Sequence, residues 1–183
     1  MLLMHGFKAF WECGHELFKT SPETYPAGFL AGNILDLSIM ALRDPFYGTP
    51  DTPRPDLLAL SSLTPLQGHV SAIHTSAFFH LFDEETQLQI ARRLATLLSP
   101  ALGSVIFGSH GALPTKGNRQ EHISGLTTTM FCHSPQSWQE LWDGQVFAEG
   151  TVKVEVDLQM SNRSDLALKE TPFYWLVWSV TRI

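Results

Sequence analysis

Lysine and arginine are scarce in this chain and never cluster: 12 basic residues stand against 18 acidic ones, for a formal net charge of −6. Nucleic-acid recognition needs clustered cations that displace counterions from phosphates, so that class of function is excluded. Cysteine is almost absent. Cys13 and Cys132 stand far apart and make neither a CxxC metal pair nor a disulfide framework, which predicts a reducing, cytoplasmic setting. No apolar run approaches the roughly 18 residues of a membrane span. The start, MLLMHGFKAFWECGHE, breaks its short apolar stub at His5, Gly6 and Lys8, and reads as neither a signal peptide nor an anchor. Also missing are the GxSxG elbow, the GxxxxGK phosphate loop and the HxH or HxxxH metal spacing.

What remains is an ordinary soluble composition, 44% hydrophobic and 16% charged, over 183 residues, enough for one domain with a substantial core. Pro and Gly concentrate once, in Asp44 to Asp56 (DPFYGTPDTPRPD), which predicts a loop. Before it, Ala9 to Phe18 reads as a short helix and Phe29 to Leu42 as a strand end running into a second helix. After it, Asp56 to Leu63 has a helical composition, and Val70 to Ser76 reads as a buried strand. Asp83 is an N-cap for a helix through Leu97 or Leu98, whose apolar set Leu88, Ile90, Ala91, Leu94, Leu97 and Leu98 has helical spacing. Gly103 to Gly108 (GSVIFG) is a second buried strand, Ser134 to Val146 a helix, Val152 to Leu158 an alternating strand and Tyr174 to Val180 a last one. This order predicts an α/β open sheet ending in an antiparallel strand pair.

The words HVSAIHTSAFFHLFDEETQLQIARRLATLLSP, GSVIFG, HSPQSWQELW and YWLVWSVTR resemble a group of fungal secondary-metabolite methyltransferases, from about Phe10 to the C-terminus. The resemblance implies a Rossmann-like class I methyltransferase fold in which Val70 to Ser76 is the fourth strand and GSVIFG the fifth. The sequence departs from the group at its amino end. It has no glycine-rich turn of the kind that holds S-adenosylmethionine after the first strand, and FWECGHELF matches the segment after the group's second strand. His5 falls where the group has the acidic residue that binds the ribose hydroxyls, and Asn33 in GNILD where it has an Asp near the adenine. Imidazole cannot offer a bidentate carboxylate. Both positions are therefore read as vestigial. Residues 1–183 are read as a single, naturally short, N-terminally truncated methyltransferase-like domain. It is expected to bind no cofactor, with S-adenosylmethionine as the alternative, and to pair with a second copy that completes the sheet.

Ligands of doubly wound sheets bind beyond the carboxyl ends of the strands. His74, Ser76 and His80 fall at the end of the fourth strand and in the loop after it, and His110 follows the fifth in GSHGA. Arg119 stands in a polar stretch able to cover that edge, and His133 and Trp138 belong to the HSPxSW segment. The expectation is that His74, His80 and His110 converge on one cleft, with His133 and Trp138 across it. The four histidines would do acid–base work, while Ser76, Phe79, Arg119 and Trp138 hold a hydrophobic small molecule. For each histidine the competing reading is a structural hydrogen bond to the backbone. The resulting functional expectation is a cofactor-independent enzyme that isomerises, cyclises or rearranges a polyketide or terpenoid intermediate. The alternatives are an O-methyltransferase using S-adenosylmethionine and a non-catalytic partner of a full-length methyltransferase.

Overall fold

The computed structural model describes residues 8–21, 23–123, 126–161 and 172–183; His5 lies outside them. After helix α1 (Lys8–Phe18), a long irregular segment leads to strand β1 (Ala72–Ser76), helix α2 (Glu84–Leu97) and strand β2 (Val105–Ala112). A hairpin of β3 (Gly117–Ile123) and β4 (Leu126–Cys132) precedes helix α3 (Pro135–Trp142), and strands β5 (Val152–Ser161) and β6 (Phe173–Arg182) close the chain. The main sheet has the order β1-β2-β6-β5. β1 and β2 run parallel, and β6 lies antiparallel between β2 and β5. The mixed α/β architecture and the antiparallel C-terminal pair are those read from the sequence.

The two helices flanking β2 start where their caps dictate. Asp83 accepts a hydrogen bond from the Thr86 amide at 2.8 Å, and Glu84 and Glu85 sit in the first turn, where carboxylates complement the helix dipole. Ser134 caps α3 reciprocally with Ser137, and Pro135 follows at the first helical position. The buried side of α2 (Ile90, Ala91, Leu94, Ala95) packs into one core with Ile106, Leu176, Trp178 and Val180 of the sheet and with Trp138, Leu141 and Trp142 of α3. Gln87, buried at the start of α2, donates to the carbonyls of Phe82 and Phe131, fastening the helix to the hairpin.

Several expectations are corrected. The Phe29–Leu42 segment is neither strand nor helix. Asn33 and Asp36 accept from the amides of Leu35 and Ser38, two residues on, so each side chain closes a local turn that competes with regular structure. Asp56 does the same with Leu58, and Asp56–Leu63, read as helical, contains no helix; a single 3-10 turn follows it at Thr64–Leu66. The strand read as GSVIFG continues to Ala112, so His110 lies within it rather than after it. The polar stretch around Arg119 is a strand of the hairpin.

One glycine is required by close approach. A Cβ on Gly108 would lie 1.6 Å from the carbonyl oxygen of Thr75, on the paired strand. Backbone cannot retreat as a side chain would, so Gly108→Ala is expected to destabilise the fold by about 3 kcal/mol or more, at the upper end of overpacking costs. Urea denaturation checks this. An unchanged midpoint would show that β1 can stand off from β2.

Candidate functional site

At the carboxyl edge of the parallel pair, the hydroxyls of Ser76 and Ser109 meet at 3.0 Å. The chain then turns through Ala77, a non-glycine residue at φ 51°, whose amide donates to the Ser109 carbonyl at 2.8 Å. A left-handed alanine is strained, and such strain concentrates at functional sites. The turn delivers Phe79 and His80 to opposite sides of β2. His80 packs on the Gly111 side, where its Nδ1 accepts the Gly111 amide at 3.0 Å. With Nδ1 committed as an acceptor, the ring proton of neutral His80 resides on Nε2. Its imidazole meets Trp175 edge-on at 6.0 Å, and Met130 and Phe173 lie over Gly111 beside it.

Strand alternation assigns every candidate to a side. His74 pairs with Phe107, Ser76 with Ser109, and Ser109 and Gly111 in turn pair with Val177 and Trp175. His74, Ser76 and His80 therefore share one face with Phe107, Ser109, Val177 and Trp175. That face is partly open: His74 and Ser76 are exposed, and Phe107 and Val177 are each 41% exposed. His74 leans on Phe107 at 5.0 Å, toward the amino end of the sheet from His80.

His110, His133, Trp138 and Phe79 belong to the other side, inside the core, each 2% exposed or less. His110 Nδ1 accepts the indole N–H of Trp178 at 3.0 Å, and His133 Nδ1 meets the Ser137 hydroxyl at 2.9 Å. Both imidazoles abut Trp138, with ring centroids 4.4 and 5.2 Å away. Burial pushes His110 down to about 3, helped by the neighbouring His80 and His133. Burial also pushes His133 down to about 4, against the opposing pull of Glu84. Both rings are neutral near pH 7.

The expected single cleft is thus two environments divided by β2: His74 and His80 lie on the open face, His110 and His133 in the core. Arg119 is also buried. Its Nη1 donates to the Pro172 carbonyl at 2.8 Å and its guanidinium lies 4.7 Å from the Phe173 ring, so it joins the hairpin to the start of β6. Asn33 is exposed, with its Oδ1 spent on the Leu35 amide. Ser109, Met130 and Trp175 were not singled out from the sequence. Extending the second strand through GSHGA would have found Ser109, because alternation then places Ser109 and Gly111 beside Ser76 and His80.

Among the described residues, no group of three or more His, Cys, Asp or Glu is arranged to hold a metal ion, and no helix is long and apolar enough to cross a membrane.

The chain is similar to curated fungal proteins. It is 29% identical over 152 residues to O-methyltransferase phiE of a fungal species, across 83% of this chain and 42% of that protein. It is 30% identical over 151 residues to methyltransferase adrK of Penicillium rubens, across 81% of this chain and 44% of that protein. It is 27% identical over 176 residues to the Asnovolin E/Chermesin D methyltransferase nvfJ of Aspergillus novofumigatus, across 92% of this chain and 62% of that protein. The chain therefore spans less than half the length of the first two relatives and less than two thirds of the third. No protein-family model matches it.

Proposed function

We propose that this chain carries the acceptor side of a methyltransferase acting on a hydroxyl or carboxyl group of an apolar small molecule. The observation that carries this reading is that all three relatives bear methyltransferase names, and that the match runs over 81% to 92% of this chain. Those names favour methyl transfer over the cofactor-free isomerisation expected from the sequence. Methyl transfer by such relatives implies S-adenosylmethionine as donor, and the described residues do not fit that group. The Asn33 oxygen, at the position read as lying near the adenine, is engaged within its own turn. In the proposed role this chain binds and orients the acceptor. Trp175, Phe107 and Val177 give the apolar wall, and the Ser76 and Ser109 hydroxyls address its oxygen. His80 Nδ1 is held by the Gly111 amide, so that nitrogen does not serve as a base.

Labelled S-adenosylmethionine and a panel of apolar phenols and carboxylic acids test the reading. The chain is assayed alone and co-expressed with the portion of adrK that lies outside the match. Labelled methyl product is expected from the mixture, with Ser76→Ala, at an exposed position, lowering kcat/KM about 10-fold or more at an unchanged melting temperature. Calorimetry of the chain alone with S-adenosylmethionine is expected to give a Kd weaker than about 100 μM, near −5.5 kcal/mol. Turnover of panel compounds by the isolated chain without S-adenosylmethionine would sink the methyltransferase reading, as would a mixture that never transfers label.

A further inference from the structure

Strand β1 is one margin of the main sheet and, among the described residues, pairs with β2 alone. The Val105 amide donates to the Ser71 carbonyl at 2.9 Å, and the Ala77 amide to the Ser109 carbonyl at 2.8 Å. Successive residues of a strand direct their N–H and C=O groups to opposite edges. Ser71, Ile73, Thr75 and Ala77 therefore address β2, and Ala72, His74 and Ser76 aim their backbone groups away from the sheet. All three are exposed.

A bare edge invites pairing, and proteins commonly block it with charge or proline. The opposite margin is blocked in this way: β5 carries Lys153, Glu155 and Asp157, all exposed. β1 carries neither charge nor proline, and from Leu57 to Phe82 the sequence holds no Asp, Glu, Lys or Arg. The edge also matches itself. Turned about a two-fold axis normal to the sheet, β1 meets a second β1 antiparallel. The register that uses every outward backbone group pairs His74 with the partner's His74 and Ala72 with the partner's Ser76. Beyond them Ser71 meets the partner's Ala77 and Val70 the partner's Phe78. No Asp, Glu, Lys or Arg is brought opposite another, so the seam is spared the self-repulsion of a chain of net charge −6.

We propose that two copies of this chain pair antiparallel through β1, joining their main sheets into one. Opposed residues of an antiparallel pair point to the same face. The partner's His74 then stands beside His74 and the partner's Ala72 beside Ser76, on the open face. The Ser76–Ser109 hydroxyl pair comes to lie next to the seam, and each copy places an imidazole diagonally from the other's Ser76. The pairing belongs to the chain by itself and holds whether or not it serves methyl transfer.

Sedimentation velocity of the whole chain at pH 7.5, over about 1–500 μM, tests this, and the parent is expected to dimerise with a Kd of roughly 100 μM or tighter. His74→Lys and His74→Glu each set like charges opposite one another and are expected to weaken the dimer about 5-fold or more. An equal mixture of the two sets opposite charges together and is expected to dimerise at least as well as the parent. Circular dichroism checks that both variants fold. Ala72→Pro, which removes an outward N–H at the first residue of β1, where proline is tolerated, is expected to weaken the dimer as well. A parent that stays monomeric throughout overturns the proposal. So do folded Lys and Glu variants that dimerise as the parent does, or a mixture of them that stays monomeric.

Discussion

Stability is expected to fall steeply as pH drops from about 6.5 toward 3, because two buried imidazoles must then charge. In the unfolded chain both histidines titrate near 6.5, whereas burial in the folded chain pushes His110 down to about 3 and His133 down to about 4. Between those values the unfolded state binds more protons than the native state, so stability rises with pH. The contribution is fully present above about 6.5 and is lost as pH falls through the native values. At 1.36 kcal/mol per unit, the losses are of order 5 kcal/mol for His110 and 3 kcal/mol for His133. Either loss alone is a sizeable part of the 5–15 kcal/mol total of an ordinary domain. The exposed carboxylates Asp36 and Asp83, held below the usual carboxylate range by hydrogen bonds from Ser38 and Thr86, act only below about pH 4 and leave a separate, later step. Urea midpoints at pH 7.5, 6, 5 and 4 measure the slope. A flat profile from 7.5 to 5 would show that the imidazoles charge without penalty and that the core admits water freely.

The parts of the fold legible in the sequence are those fixed by local chemistry with a single outcome. Asp83 followed by Thr86, and Ser134 followed by Pro135, can do little but start helices, and both do. Alternation along Val152 to Leu158 announced β5 before any partner strand was known. Where local and distant terms compete, the sequence is ambiguous. The apolar content of Phe29–Leu42 suggests regular structure, yet Asn33 and Asp36 close turns, while Ile34 and Met40 are buried against the core from irregular backbone. The site shows the same division. That His74, Ser76, His80 and His110 gather about the carboxyl part of two adjacent strands followed from topology. Which side of β2 each one faces depended on where the strand ends. Reading it to stop at Gly108 freed His110 to face a cleft; its true end at Ala112 commits His110 to the core. Arg119 was misread for a related reason: a polar run between two strands looks like a lid, but its cross-strand pairing with Met130 is a long-range fact.

Trp138→Ala is expected to be the most damaging single core truncation. Trp138 is 0% exposed, and its ring meets Phe79 at 4.9 Å, Trp178 at 5.0 Å and Trp142 at 5.7 Å, besides the two imidazoles. Removing an indole that touches five aromatic or imidazole rings forfeits its burial, the edge-to-face contacts and the filling of its space. The expected loss is about 3–5 kcal/mol at pH 7.5. Trp11, stacked on Phe29 outside the core at 5.5 Å, is the matched control. Trp11→Ala is expected to cost about 1 kcal/mol, as a partly exposed contact does. A second consequence separates this account from simple cavity formation. Without the indole, His110 and His133 gain access to water, so their folded-state pKa values move back toward 6.5 and less stability is lost on acidification. Trp138→Ala should therefore be weaker than the parent at pH 7.5 yet show a shallower decline between pH 6.5 and 4. Urea denaturation of both variants across that range measures the two effects together. Equal losses for Trp138→Ala and Trp11→Ala would remove Trp138 from the centre of the core. A large loss with an undiminished pH slope would show that something other than this indole keeps the imidazoles dry.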